Sequence, residues 1–162
     1  MRGRVAVSPS EAYICLDRGR GRKVTVSIEA LLGIERGHSA ISFLAAIEEG
    51  LPVTALDRLA ETVAPDDVRI KVRLIPKATL ERRRRSASKR LTREEGDRLA
   101  RLAKVFSFAL EVYKSPEKAR EFLGRPHPML DGKPPLDIAL GTSPGADLVV
   151  NLIGRTAYGG GV

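Results

Sequence analysis

Between Leu91 and Val162 each stretch of helical periodicity opens on a capping residue and closes on a stop signal. That punctuation narrows the folds open to the chain more than any other feature. Thr92 stands three residues before Glu95 and just ahead of an apolar run, the pattern of a capping box. Leu99, Leu102, Ala103, Phe106, Ala109, Leu110 and Tyr113 then recur at helical spacing, predicting an amphipathic helix of about 20 residues. Ser115-Pro116-Glu117 opens another helix through Phe122 and Leu123, and Gly124 stops it. Pro126-His127-Pro128 reads as a rigid connector, followed by a short helix around Pro135–Leu140 closed by Gly141. Ser143-Pro144 caps a last helix whose apolar face is Leu148, Val149, Leu152 and Ile153. The tail that follows, Tyr158-Gly159-Gly160-Gly161-Val162, is nearly free of side chains and suited to presentation to a partner.

Aromatic residues make up only 4% of the chain and Trp is absent, so the core must rest on Leu, Ile, Val and Ala. Leu and Ala in that role favour helix over sheet. The single cysteine, Cys15, has no partner for an internal disulfide and is assigned no role, and no Cys/His cluster has zinc-ligand spacing. No run approaches the roughly 18 apolar residues of a membrane span, and the N-terminus lacks the apolar stretch of a signal peptide. A soluble, cytoplasmic protein without a membrane partner is expected.

Charge divides the chain unevenly. Residues 1–90 hold 18 Lys/Arg against 11 Asp/Glu, whereas residues 91–162 hold 10 against 9. Any polyanion contact therefore belongs to the first part. Residues 1–26 read as a basic arm, with Arg18-Gly-Arg-Gly-Arg-Lys23 available to phosphates and two short runs, Ala12–Leu16 and Lys23–Ser27, able to pair as strands. Ser27 is a plausible N-cap for a helix through Leu32 that Gly33 closes. A second helix is predicted over Ser39–Glu48, with Ile41, Leu44, Ala45 and Ile47 on its apolar side and Gly50 at its end. A third begins near Pro52 and carries Leu56, Leu59, Ala60 and Val63. Pro65-Asp66-Asp67 places acids before Val68, Ile70, Val72 and Leu74, which alternate with cations and fit either a helix or a strand. Pro76 then opens a helix over Lys77–Arg85. Two short helices joined near Leu74–Pro76 have the dimensions of a helix-turn-helix, the second being the recognition helix. Ser86 to Arg90 is the predicted linker, giving an arm over 1–26, a helix-turn-helix domain over 27–90 and a helical domain over 91–162.

The stretches Arg90–Leu99, Ser115–Leu123 and Pro126–Leu136 resemble the toxin-binding domain of the Xre/MbcA/ParS antitoxin family. Thr142–Gly145, Leu152–Arg155 and Tyr158-Gly159 extend the likeness. Glu49–Val53 and Ile75–Leu80, followed by arginines, are similar to the family's N-terminal part. The resemblance implies a mainly α protein, an N-terminal Xre-like helix-turn-helix domain followed by a C-terminal helical toxin-binding domain. It implies the antitoxin of a type II pair, a homodimer within a toxin–antitoxin hetero-oligomer that neutralises a RES-domain toxin acting on NAD. The C-terminal tail would cover the NAD pocket, and the Xre-like domain would bind operator DNA. Where the family's turn reads Leu-Gly-Ile, this chain has Arg73-Leu74-Ile75. Leu resists the left-handed conformation that Gly tolerates, so a remodelled turn is expected.

The candidate toxin-binding residues are Arg155, Tyr158, Gly159, Gly160, Gly161 and Val162. The glycines can thread a narrow cleft, Tyr158 offers a flat anchor, and a carboxylate on Val162 suits basic groups that hold NAD phosphates. Arg155 fits equally a charge on the helix C-terminus or a fork for a partner carboxylate. The candidate DNA-binding residues are Lys77, Thr79, Arg82, Arg83, Arg84 and Arg85, with Lys77, Thr79 and Arg82 nearest the base edges. His38 and His127 have no nucleophile or metal-ligand constellation beside them, and Asp131 and Asp137 suit turn and helix roles. The Gly-rich arm fits no nucleotide-binding fingerprint, so neither an enzyme mechanism nor a cofactor is expected. The competing reading is a DNA-binding repressor whose C-terminal half only dimerises.

Overall fold

The computed structural model describes residues 27–34 and 40–159. The predicted arm over 1–26 with Cys15, together with His38, Ser39, Gly160, Gly161 and Val162, lies outside them. Among the described residues the regular elements are helices, joined by two isolated bridges, Pro52 to Arg90 and His127 to Lys133.

The first helix, α1 (Ile28–Leu32), begins where the Ser27 hydroxyl accepts a bond from the Ala30 N–H, and ends at Gly33 with φ 66°. Helix α2 runs over Ala40–Glu49 and α3 over Val53–Val63. Leu56, Leu59, Ala60 and Val63 of α3 are buried as the periodicity predicts. The apolar side predicted for α2 is not the side that packs. Ile47 is buried with Ala46, but Ile41 is 78% and Leu44 59% exposed, and Ala45 is exposed too. Helix α2 meets a later helix, with Ile47 lying beside Gly96 of that helix, and packing of this kind decides which residues are covered.

The ambiguous run after Pro65 is a helix, α4 (Ile70–Leu74). Ile70 and Leu74 are buried four residues apart while Val68 and Val72 are exposed, so helical spacing overrides the alternation. Helix α5 covers Lys77–Arg85. The predicted linker is strapped down. Leu91 N–H bonds the Leu51 carbonyl at 2.8 Å, Val53 N–H bonds the Lys89 carbonyl at 3.0 Å, and Arg90 Nη1 reaches the Gly50 carbonyl at 2.7 Å. This strap passes so close that a Cβ on Gly50, whose φ is 88°, would stand 2.4 Å from the Leu91 carbonyl oxygen. Glycine is needed there for both reasons.

The long helix α6 (Arg93–Tyr113) opens on the predicted capping box. It is followed by α7 (Pro116–Gly124), a 3-10 turn at Pro128–Leu130, α8 (Pro135–Gly141) and α9 (Ser143–Tyr158). Gly124 is the last residue of α7 rather than a stop outside it, and Arg125 caps it in an extended conformation. The N-cap of α9 is Thr142, one residue before the predicted Ser143, and its hydroxyl accepts from Gly145 N–H at 3.1 Å. Val149, Leu152 and Ile153 of α9 are buried with Ala146, but Leu148 is half exposed. Helix α6 is the axis of the packing, meeting α1, α2, α3 and α4 as well as α7, α8 and α9. Leu99, Ala103, Val105, Phe106 and Ala109 of α6 are fully buried in one continuous apolar core.

Candidate functional site

Two surfaces carry the residues singled out by the sequence. The first is built by α3, α4 and α5. Helix α4 ends at Leu74, which is helical and buried, and the turn is made by Ile75 (φ −137°) and Pro76 (φ −52°) in extended conformations. No residue between Leu74 and Lys77 has a positive φ. The tight helix–turn–helix is therefore reached without glycine, and Leu74 serves as a core residue.

Helix α5 does not present its arginines as one strip. Leu80 is buried, and Arg83 Nε donates to Glu95 Oε2 at 3.1 Å. Arg84 Nη2 donates to Asp57 Oδ1 at 2.9 Å, where Lys71 Nζ also arrives at 2.8 Å. Leu80, Arg83 and Arg84 thus fix the inner side of α5. Ala78, Glu81, Arg82 and Arg85, at i, i+3, i+4 and i+7, occupy the opposite side and are all exposed. Lys77 is exposed at the first turn, and Thr79 is half-buried on the flank. Lys77, Arg82 and Arg85 make no ion pair with a described residue. The five cations of the predicted set of six divide accordingly into Lys77, Arg82 and Arg85, which form no ion pair with a described residue, and Arg83 and Arg84, which are committed to holding the helix.

Glu95 is the residue that links this surface to α6. Its Oε2 accepts the Thr92 N–H at 2.7 Å, its own N–H bonds the Thr92 hydroxyl at 3.3 Å, and it receives Arg83. A single side chain, 8% exposed, caps α6 and anchors α5. The capping-box spacing exposed the first role in the sequence, whereas the second required the fold.

The second surface is the end of α9. Burial along the helix stops at Ile153, and Arg155, Thr156, Ala157 and Gly159 are exposed. The helix continues to Tyr158, so the first residue of the expected tail is helical, and Gly159 N–H closes it on the Arg155 carbonyl at 2.8 Å. Arg155 makes no ion pair with a described residue. Tyr113 Oη and Thr156 Oγ1 lie 3.4 Å apart, and Thr156 Oγ1 donates to the Ile153 carbonyl at 2.7 Å, tying the last turn to α6.

Arginines cross between the two surfaces. Arg73 of α4 pairs with both Asp67 and Asp137, the latter in the first turn of α8. Arg120 Nε of α7 donates to the Thr62 carbonyl at 2.8 Å, and Arg98 Nη1 of α6 to the Leu74 carbonyl at 3.4 Å. These cross-links were not singled out in the sequence, because Asp137, Thr62 and Leu74 lie 64, 58 and 24 residues from their arginines. His127 Nδ1 accepts the Met129 N–H at 3.2 Å, a loop-capping role, and Asp131 is a turn residue with φ 53°. Among the described residues no group of His, Cys, Asp or Glu is placed to hold a metal, and no helix is long and apolar enough to cross a membrane.

Comparison with known families matches residues 42–104 to the antitoxin Xre-like helix-turn-helix domain and residues 108–159 to the antitoxin Xre/MbcA/ParS C-terminal toxin-binding domain. The first match contains α5 and its outer face, and the second contains α9 to its last described residue. No curated protein matches the chain.

Proposed function

Because the chain belongs to the Xre/MbcA/ParS-type antitoxins, we propose that it neutralises a RES-domain toxin by lodging its C-terminal tail in that toxin's NAD pocket. The observation that carries this reading is the way α9 ends. The helix is capped at Thr142, buried at Ala146, Val149, Leu152 and Ile153, and tied to α6 at Thr156, while Arg155, Thr156, Ala157 and Gly159 are exposed. A rigid helix that delivers an exposed end loses little freedom on docking, which favours binding. Tyr158 supplies a flat anchor, Gly159, Gly160 and Gly161 fit a narrow cleft, and a carboxylate on Val162 meets the cations that would hold NAD phosphates. Arg155 offers its guanidinium to a carboxylate on the toxin. Inhibition of this kind is occlusion, and the chain performs no chemistry of its own.

The same protein binds operator DNA and represses its own operon, in the cytoplasm and as a homodimer that carries one α9 end per copy. Lys77, Arg82 and Arg85 contact phosphates, Arg83 and Arg84 hold α5 in place, and Thr79 borders the groove.

The test is co-expression with a RES-domain toxin, comparing the full chain with one ending at Ala157 and following growth, cellular NAD and co-purification. The expected result is a truncated chain that still co-purifies while growth stops and NAD falls. Protection by the truncated chain equal to that of the full chain would refute the tail mechanism.

A further inference from the structure

The outer stripe of α5 contains one residue of the wrong sign for a phosphate-facing helix. Ala78, Glu81, Arg82 and Arg85 fall within an arc of about 100° directed away from the core. Glu81 lies in the middle of the helix, exposed, and is the single acid of α5. The ordinary role for such a residue is a helical ion pair with Lys77 four residues before it or Arg85 four residues after it. Neither pair is formed, and the Glu81 side chain has no hydrogen bond or ion pair among the described residues. Nor does Glu81 help to hold α5 in place, since that is done by Leu80, Arg83 and Arg84.

We propose that Glu81 is a specificity-determining residue that accepts a hydrogen bond from the N4 amino group of a cytosine in the DNA major groove. The inference rests on the reading of α4 and α5 as a DNA-binding helix-turn-helix. A carboxylate on this stripe is repelled by phosphates wherever the protein sits non-specifically, so it weakens binding to most sequences. The repulsion is offset only where a base edge offers a donor, and in the major groove cytosine N4 is the donor that glutamate pairs with. Arg82 and Arg85, on the same stripe, supply the attraction that keeps the helix on the duplex. The residue then discriminates in two ways, by one gained bond at the right base and by a penalty at the others. Ala78, one turn earlier, adds only a small apolar contact and leaves room for the helix to approach.

The experiment is selection from a library of randomised duplexes by the full-length chain and by its Glu81→Gln variant, with Arg85→Ala alongside. Glutamine keeps the size and removes the charge at an exposed position, so the variant is expected to melt with the wild type. The wild type should enrich a motif with one position per half-site at which cytosine is preferred about fivefold or more. Glu81→Gln should lose the preference at that position alone and bind random duplex more tightly than the wild type does. Arg85→Ala should weaken binding to all sequences and leave the motif unchanged. A Glu81→Gln variant that enriches the same full motif overturns the role of Glu81 while leaving the helix-turn-helix reading intact. If the wild type holds no duplex at about 50 mM salt, where phosphate contacts are strong, the DNA-binding reading falls and takes this inference with it.

Discussion

Arg83 and Arg85 are two residues apart on one short helix, yet they belong to different energy scales. The Arg83 side chain is 25% exposed and faces a carboxylate that is 10% exposed, so its charge-assisted bond is shielded from water on most sides. Arg85 is exposed and makes no ion pair with a described residue. Substituting Glu95 with alanine removes the reciprocal bond of a capping box and strands Arg83, a combined loss of about 2 kcal/mol. Arg83→Ala should cost less, and the double variant should show a coupling of about 1 kcal/mol by denaturant unfolding. Arg85→Ala should leave stability unchanged and reduce the salt slope of DNA binding by about 0.9. The run of four arginines was legible as a basic cluster, but its division into anchors and open cations was not. That division depends on Glu95 and Asp57, which lie 12 and 27 residues away. A second residue-scale prediction concerns Glu117. The Ser115 hydroxyl, donating at 2.6 Å, and the Glu117 backbone amide hold the Glu117 carboxyl below its ordinary value of 4.5. A depressed folded-state value contributes stability above pH 4.5 that fades as pH falls through the folded value. The melting difference between wild type and Glu117→Gln should therefore be present at pH 7 and vanish in acid. A constant difference down to pH 3 would mean that the glutamine acts through something other than charge.

At the scale of elements, the turn between α4 and α5 tests what glycine does in a helix-turn-helix. The sequence departs from a glycine-containing turn at Leu74, and a remodelled turn was the expectation. The chain solves the problem by keeping Leu74 in α4 and turning through extended Ile75 and Pro76, whose fixed φ suits the conformation. Leu74 is thereby released to fill the core, where it is 2% exposed. Leu74→Gly, which restores the family's residue, should consequently destabilise the protein by about 3 kcal/mol or more, through a lost side chain and a loosened helix. A neutral or stabilising effect in thermal unfolding would show that the turn is strained as it stands. The starts and stops of helices were the most legible elements because caps are local: Ser27, Thr92 and Ser115 each bond an amide three residues ahead. Which face of a helix packs was less legible. Ile41 and Leu44 of α2, and Leu148 of α9, belong to apolar stripes in the sequence but sit outside the core, because burial follows the neighbouring helix rather than the stripe.

At the scale of the molecule, the question is whether the two family matches, 42–104 and 108–159, describe parts that unfold separately. Ion pairs such as Arg73 with Asp137 join them, but pairs at 33% and 47% exposure contribute about 1 kcal/mol at most. They are too weak to make the parts cooperate. The stronger link is α6, which contributes to both matches and carries Val105 and Phe106, fully buried, where one match gives way to the other. A helix cannot be half melted at low cost when its centre is packed on both sides, since each exposed apolar side chain loses about 1.5–3 kcal/mol of burial. We therefore predict one unfolding transition for the whole described unit, with Phe106→Ala lowering its stability by about 3–5 kcal/mol without splitting it. Hydrogen exchange read separately at α3 and at α9 provides the check. Both helices should lose protection by the same amount in Phe106→Ala. Loss confined to one of them would mean that the parts fold independently, and that the proposed toxin contact at the end of α9 has no route through the core to the proposed DNA contact on α5.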